Sequence, residues 1–432
     1  MLEEVGDTVK WLLMAVMAAL PLQWFVVAGP LRLHVTAMLL FLALVLVSHR
    51  SRVFSPVLSV AAPFVVANVV LCTIWIAAQA YHGLGFVQPL EQLVFLGVFV
   101  ALATVVHRGL TLDHDRWVAA FRWSALTVTM SLVVGLSFSM IVNGINPVGV
   151  IGRTIAAADP EVLQRELFRA AFAGFGFDEE VVRGNLRHEV FGAVLVGMAA
   201  SAACVGMRPF TSAGARALYT FSMALGVLLI VVSMSRSVII AAAAWPLLAL
   251  LRALLGVRLT PRLVGGGLVV GLGGAVLAAT GFLTVIWVRF TQDDSSYQAR
   301  GNLLDQALDN LGTSLLFGGV ATEGASSHNF VIDTWLRAGV FAALAAAVVV
   351  IVLIGLFLSL ASSLHREPGW MLPVTALLAL PLVRMFTAGG GLIPPVSWVG
   401  LGLAAGYLVH RRLSRRASER DQPAGDLTGL AP

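Results

Sequence analysis

The sequence predicts an all-α polytopic integral membrane protein with about twelve transmembrane helices, both termini cytoplasmic, and two larger extracytoplasmic loops containing short helices. Three observations carry this. Hydrophobic residues make up 58% of the 432 and charged residues only 12%, a balance far from that of a soluble domain. The apolar runs repeatedly reach the ~20 residues that cross a bilayer. Arginine recurs in alternate short connections between these runs. A membrane β-barrel would alternate apolar and polar positions over short segments, whereas runs such as 341–358 are apolar on every face.

Taken in order, the apolar runs predict spans at 11–29, 32–48, 57–79, 87–106, 117–142, 189–207, 214–233, 237–255, 263–288, 334–360, 370–386 and 392–410. The first follows Glu3, Glu4 and Asp7, an acidic lead where a secretory signal carries a basic one, so it reads as a transmembrane helix. Cys72 and Cys204 fall in separate apolar runs and read as core packing, with no disulfide framework or metal site. Residues 1–412 read as a single transmembrane domain and 413–432, polar with Pro and Gly, as a disordered cytoplasmic tail. No internal repeat stands out.

Arginine sets the orientation. Arg50 and Arg52, Arg108 and Arg116, Arg208 and Arg216, Arg252, Arg258 and Arg262, Arg366, and the group from Arg411 to Arg420 all fall on one predicted side. The positive-inside rule makes that side cytoplasmic, and the opposite short connections carry only Arg32 and Arg236. The net charge of +5 therefore reports topology and contact with anionic membrane lipid, and no nucleic-acid partner. The long polar segments 143–188 and 289–333 face outside.

Each outer segment carries helical patterning. Residues 160–172 place Val162, Leu163, Leu167, Phe168 and Phe172 opposite Arg165 and Arg169, an amphipathic helix for the outer leaflet surface. In the second segment, 297–311 places Leu303, Leu304, Ala307, Leu308 and Leu311 on one face, with Arg300 in the first turn. Free N–H groups at a helix start and a neighbouring guanidinium converge on a phosphate; the alternative is an exposed arginine pairing with Asp293, Asp294 or Asp305. Gly318 and Gly319 permit a tight turn, and Ser326 and Ser327 precede His328 as caps for a helix beginning near Asn329. The positive end of that helix favours neutral imidazole, which makes His328 a candidate base.

Arg236, in the short break Ser233-Met234-Ser235-Arg236-Ser237, opposes the positive-inside bias and calls for an anionic partner or for headgroups to snorkel towards. Arg384, ahead of Gly389-Gly390-Gly391, is a further cation near the outer surface. Asp333 and Arg337 lie one turn apart and would pair with each other. Glu91, just after Pro89, is a carboxylate at unusual depth. No metal site is predicted, the adjacent Asp293-Asp294 being a solvated pair.

The order Ser235-Arg236, Arg300, Gly318-Gly319, Ser327-His328-Asn329 and a helix with Gly339 resembles the O-antigen ligase and O-antigen polymerase superfamily, over roughly residues 233–360. The resemblance implies a bacterial inner-membrane glycosyltransferase with its site facing the periplasm or cell exterior. Such an enzyme passes a glycan from an undecaprenyl-diphosphate carrier to an acceptor glycan or lipid A-core, without a cofactor. It implies Arg236 and Arg300 on the diphosphate and His328 as base for the acceptor hydroxyl, with inversion at the anomeric carbon. Arg384, Asn329, Arg337 and Glu91 are further candidates for contact with the diphosphate or glycan. The alternative is a polytopic transporter or flippase of lipid-linked glycans, expected to show polar pairs at mid-membrane, broken helices or repeated halves.

Overall fold

The computed structural model describes residues 2–23, 25–28, 31–48, 51–142, 144–157, 159, 162, 179–207, 212–233, 235–256, 294–311, 316–319, 327, 329–362, 373–387 and 394–421. Among these it is almost entirely helical. The helices are α1 (Leu2–Ala19), α2 (Leu33–Ser48), α3 (Ser55–Tyr81), α4 (Val87–Leu112), α5 (His114–Val142), α6 (Pro147–Ala157), α7 (Glu179–Gly206) and α8 (Ala213–Ser233). They continue with α9 (Arg236–Gly256), α10 (Asp294–Leu311), α11 (Phe330–Ser362), α12 (Val374–Thr387) and α13 (Pro395–Asp421). Among the described residues five helices, α3, α4, α5, α8 and α11, are long and apolar enough to cross a membrane.

The structure departs from the sequence reading in three places. The expected span 11–29 is not one helix: α1 ends at Ala19, and Val26–Ala28 and Leu31–Arg32 form a small antiparallel hairpin. Pro21 lies just past the end of α1 and disfavours its continuation, and β-branched Val26 and Val27 suit a strand. The expected outer segment 143–188 contains α6 and the first part of α7. α13 runs on to Asp421, past the Arg412 boundary set for a disordered tail, through an Arg-rich stretch in which Leu413, Ala417 and Glu419 are also good helix formers. The span 263–288 and nearly all of 160–172 lie outside the described residues.

Two buried clusters organise the bundle. The larger draws on α1 to α5, α7, α8 and α11 to α13, the smaller on α5, α7, α8, α9 and α12. α13 packs most extensively on α4, through Gly402 and Gly406 of the run Gly-Leu-Ala-Ala-Gly. A Cβ on Gly406 would sit 2.5 Å from Val106 Cβ and 2.7 Å from the Ala103 carbonyl oxygen, so only glycine lets these backbones approach. Phe64, Phe99 and Trp398 fill the space beside this seam, with ring centroids 5.1–6.4 Å apart.

α11 is broken at Gly339, where φ is +84° and ψ is 179°. The turn at 316–319 fits into this break: a Cβ on Gly339 would collide with the Leu316 carbonyl, and one on Gly318 with the backbone of Arg337 and Ala338. Gly339→Ala is therefore expected to destabilise the protein by at least ~1–3 kcal/mol from the left-handed backbone alone. Gly355→Ala, in the same helix with nothing within 4 Å of its Cβ, should leave stability unchanged or slightly raised. Thermal melts of the two variants in detergent, showing a large drop for the first only, check this.

Candidate functional site

The site is built where the 316–319 turn, the break in α11 and the ends of α3 and α4 converge. The helix of α11 starts as the sequence indicates, but Asn329 itself is the cap. Its side-chain oxygen accepts the Val331 and Ile332 N–H groups at 3.0 and 3.3 Å, satisfying two donors of the first turn. Ser327 is held from further on: its N–H and its hydroxyl both donate to Asp333 Oδ1 at 2.7 Å. Asn329 N–H closes the loop by donating to Ser327 Oγ at 3.2 Å. Ser327 and Asp333 are buried, so these bonds form away from competing water. Both sequence neighbours of His328 are thus fixed, while His328 itself lies outside the described residues.

Asp333 and Arg337, which helix spacing would pair with each other, each reach beyond the helix. Asp333 turns to Ser327, and Arg337 Nη1 donates to Gln88 Oε1 of α4 at 3.0 Å. One turn along α4 from Gln88 stands Glu91, exposed and within the field of Arg32 from the β-hairpin. The two charges that looked out of place in the sequence, Arg32 and Glu91, are thus within electrostatic reach of each other.

His82 is a site residue that sequence reasoning missed. It caps the end of α3, its Nε2 lies 3.0 Å from the Phe317 carbonyl, and its ring covers Gly319, where a Cβ would fall 2.5–2.7 Å from ring atoms. A carbonyl only accepts, so Nε2 carries the proton and donates. Tyr81 stacks at 5.1 Å on Phe317 from the same helix end. The available signal is Tyr81-His82-Gly83, an aromatic and a histidine ahead of a glycine that ends α3 at φ +66°.

The arginines divide between two places. Arg236 opens α9 and Arg384 sits in the last turn of α12. These helices pack together, and Val238 and Ala241 share the smaller buried cluster with Ala379 and Leu380. Nη1 of each arginine is shut off from solvent. Arg384 is only 2% exposed, and its Nη2 lies against Gly192 of α7. Arg300 is in α10, which packs on α11, but the helix begins at Asp294. Arg300 is consequently in the second turn and not the first. Asp294, Ser295 and Ser296 favour the earlier start, which puts the Arg300 backbone past the first-turn N–H groups. Its side chain lies outside the described residues. α12 packs on α11, which links the helix pair carrying Arg236 and Arg384 to the capped loop.

No described group of His, Cys, Asp and Glu could hold a metal ion. No protein-family model matches the chain, and no curated protein matches it. Removing Asp333 would leave the buried Ser327 N–H and hydroxyl without that acceptor. Asp333→Ala should therefore cost about 1–3 kcal/mol, against about 1 kcal/mol for loss of the Asn329 cap in Asn329→Ala. Thermal denaturation that ranks Asn329→Ala as the more damaging change would contradict this account of the loop.

Proposed function

We propose that the protein is a membrane glycosyltransferase that transfers a glycan from an undecaprenyl-diphosphate carrier to an acceptor hydroxyl, as an O-antigen ligase or polysaccharide polymerase does. In this reading the chain crosses the bacterial inner membrane twelve times, with both termini inside and the capped loop facing the periplasm or exterior. The observation that carries it is the network from Ser327 through Asn329 to Asp333, which fixes the backbone on either side of His328. A general base needs such anchoring to meet the acceptor hydroxyl in a reactive geometry. Arg236 and Arg384, on the adjoining helix pair, and Arg300 on α10 supply cations for the diphosphate.

The base on His328 takes the acceptor proton as its oxygen attacks the anomeric carbon. The bond to the carrier diphosphate breaks on the opposite face, inverting configuration, and the guanidinium groups take up the charge of the leaving diphosphate without a metal. Asn329, Arg337 and Glu91 remain candidates for glycan contact. The break at Gly339 favours the runner-up, a transporter or flippase of lipid-linked glycans, since broken helices line many transport sites. It lies near the start of α11, however, and is filled by the 316–319 turn.

The deciding measurement is a reconstituted assay with undecaprenyl-diphosphate glycan and candidate acceptors, a repeat-unit carrier and lipid A-core among them. His328→Ala is expected to bind carrier normally and lose transfer by ~10²–10⁴-fold. Wild-type transfer by that variant, or carrier translocation without transfer by the unmodified protein, would reject the assignment.

A further inference from the structure

α5 passes into α6 through an elbow held by hydrogen bonds. At the end of α5 the Gly144 N–H donates to the Ile141 carbonyl at 3.1 Å and the Ile145 N–H to the Met140 carbonyl at 2.9 Å. This pair of bonds closes a helix on a left-handed glycine, here Gly144 at φ +63°. The residue after Ile145 already caps α6: Asn146 Oδ1 accepts the Val148 and Gly149 N–H groups at 3.0 and 3.2 Å. Pro147, which opens α6, has no N–H to leave unpaired. The direction in which α6 leaves α5 is therefore set locally.

α6 has 11 residues. That is about 16 Å, half of what a bilayer crossing needs, and an isolated helix so short is marginal in water. No other described element packs extensively on it. Val150 is buried and Thr154 half-buried, which gives the helix one seated side. Val148, Ile151 and Ile155, spaced i, i+3 and i+7, form a second side and are 76%, 49% and 74% exposed. At about 100° per residue Arg153 falls opposite that apolar side, lying back over Gly149, where a Cβ would sit 3.6 Å from its Nη1.

What covers the apolar side follows from α5. That helix is long and apolar enough to cross a membrane, and Met130, Val134, Phe138 and Ile141 run exposed along it up to the elbow. On a crossing helix such a stripe faces hydrocarbon. α6 starts where that stripe ends, at the boundary of hydrocarbon and headgroups, and its own apolar side comes directly after in the chain. We propose that α6 is a membrane-surface helix, laying Val148, Ile151 and Ile155 into the leaflet at which α5 ends and holding the start of the segment between α5 and α7 against the bilayer. The assignment rests on α5 crossing the membrane and is independent of the transfer reaction.

The test uses the full chain in vesicles of phosphatidylglycerol and phosphatidylcholine, spin-labelled at one introduced cysteine. Relaxation is read with oxygen, which concentrates in hydrocarbon, and with a water-soluble nickel chelate. Cys72 and Cys204 are buried, so unsubstituted protein serves as the labelling blank. Met130→Cys reports the hydrocarbon beside α5. Ile151→Cys and Ile155→Cys should match it, with oxygen contact exceeding nickel contact, and Arg153→Cys should reverse that order. Nickel contact above oxygen contact at 151 and 155 would put that side in water, and protection from both reagents would put it under protein; either result overturns the proposal. Nickel contact at Met130→Cys as well would reject the crossing of α5 itself, and the surface seat of α6 with it.

Discussion

The arrangement of the candidate site depends on one close approach of backbones, where the 316–319 turn enters the break in α11. At Gly339 the helix gives up its regular hydrogen bonding, and the groups so released need partners that a membrane cannot supply. The turn answers part of that need: the Gly319 N–H reaches the Arg337 carbonyl at 3.4 Å, a long bond that nonetheless points the turn into the gap. From this contact the remaining geometry follows. α3 reaches the turn through His82, α4 reaches α11 through Gln88 and Arg337, and the part of α11 ahead of the break carries the Asn329 cap.

Polar residues in this chain are concentrated in few places, and each place has an internal logic. Asp333 is buried yet accepts two donors from Ser327, so its desolvation is offset by charge-assisted bonds. Asn68 and Gln92 form a similar isolated pair between α3 and α4 at 3.0 Å, with Asn68 also donating to the Phe64 carbonyl. Such bonds between helices add modestly to stability in apolar surroundings and more to register. Arg236 and Arg384 differ in kind: both belong to the α9–α12 helix pair, which otherwise contributes apolar residues to the smaller cluster.

Much of the helical architecture was legible because hydrophobic run length is set by bilayer thickness, which leaves a strong mark in composition. Expected bounds of 57–79 and 214–233 compare with Ser55–Tyr81 and Ala213–Ser233. Failures came where local chemistry competes with hydrophobicity. The first apolar run reads as continuous, yet α1 ends at Ala19, just before Pro21, and Val26–Ala28 pairs with Leu31–Arg32. Of the candidate site, the cap near Asn329 and the turn at Gly318-Gly319 were readable from residue type. The partners of Asp333, Arg337 and Glu91 were not, since Ser327 precedes its helix and Gln88 and Arg32 come from segments far away in sequence. His82 was invisible for the same reason: its partner Phe317 is 235 positions away.

Gly318 and Gly339 meet through main-chain atoms, with no side chain at either position to trim or reshape. Every single-base change in a glycine codon that yields another amino acid adds at least a β-carbon. Here that carbon would strike peptide backbone, which has no rotamer to yield. A compensating substitution elsewhere cannot make room by shortening a neighbour, because the obstacle has no side chain to shorten. The two codons are therefore coupled to the path of the chain itself, and drift around them has to proceed through surrounding positions while both stay fixed.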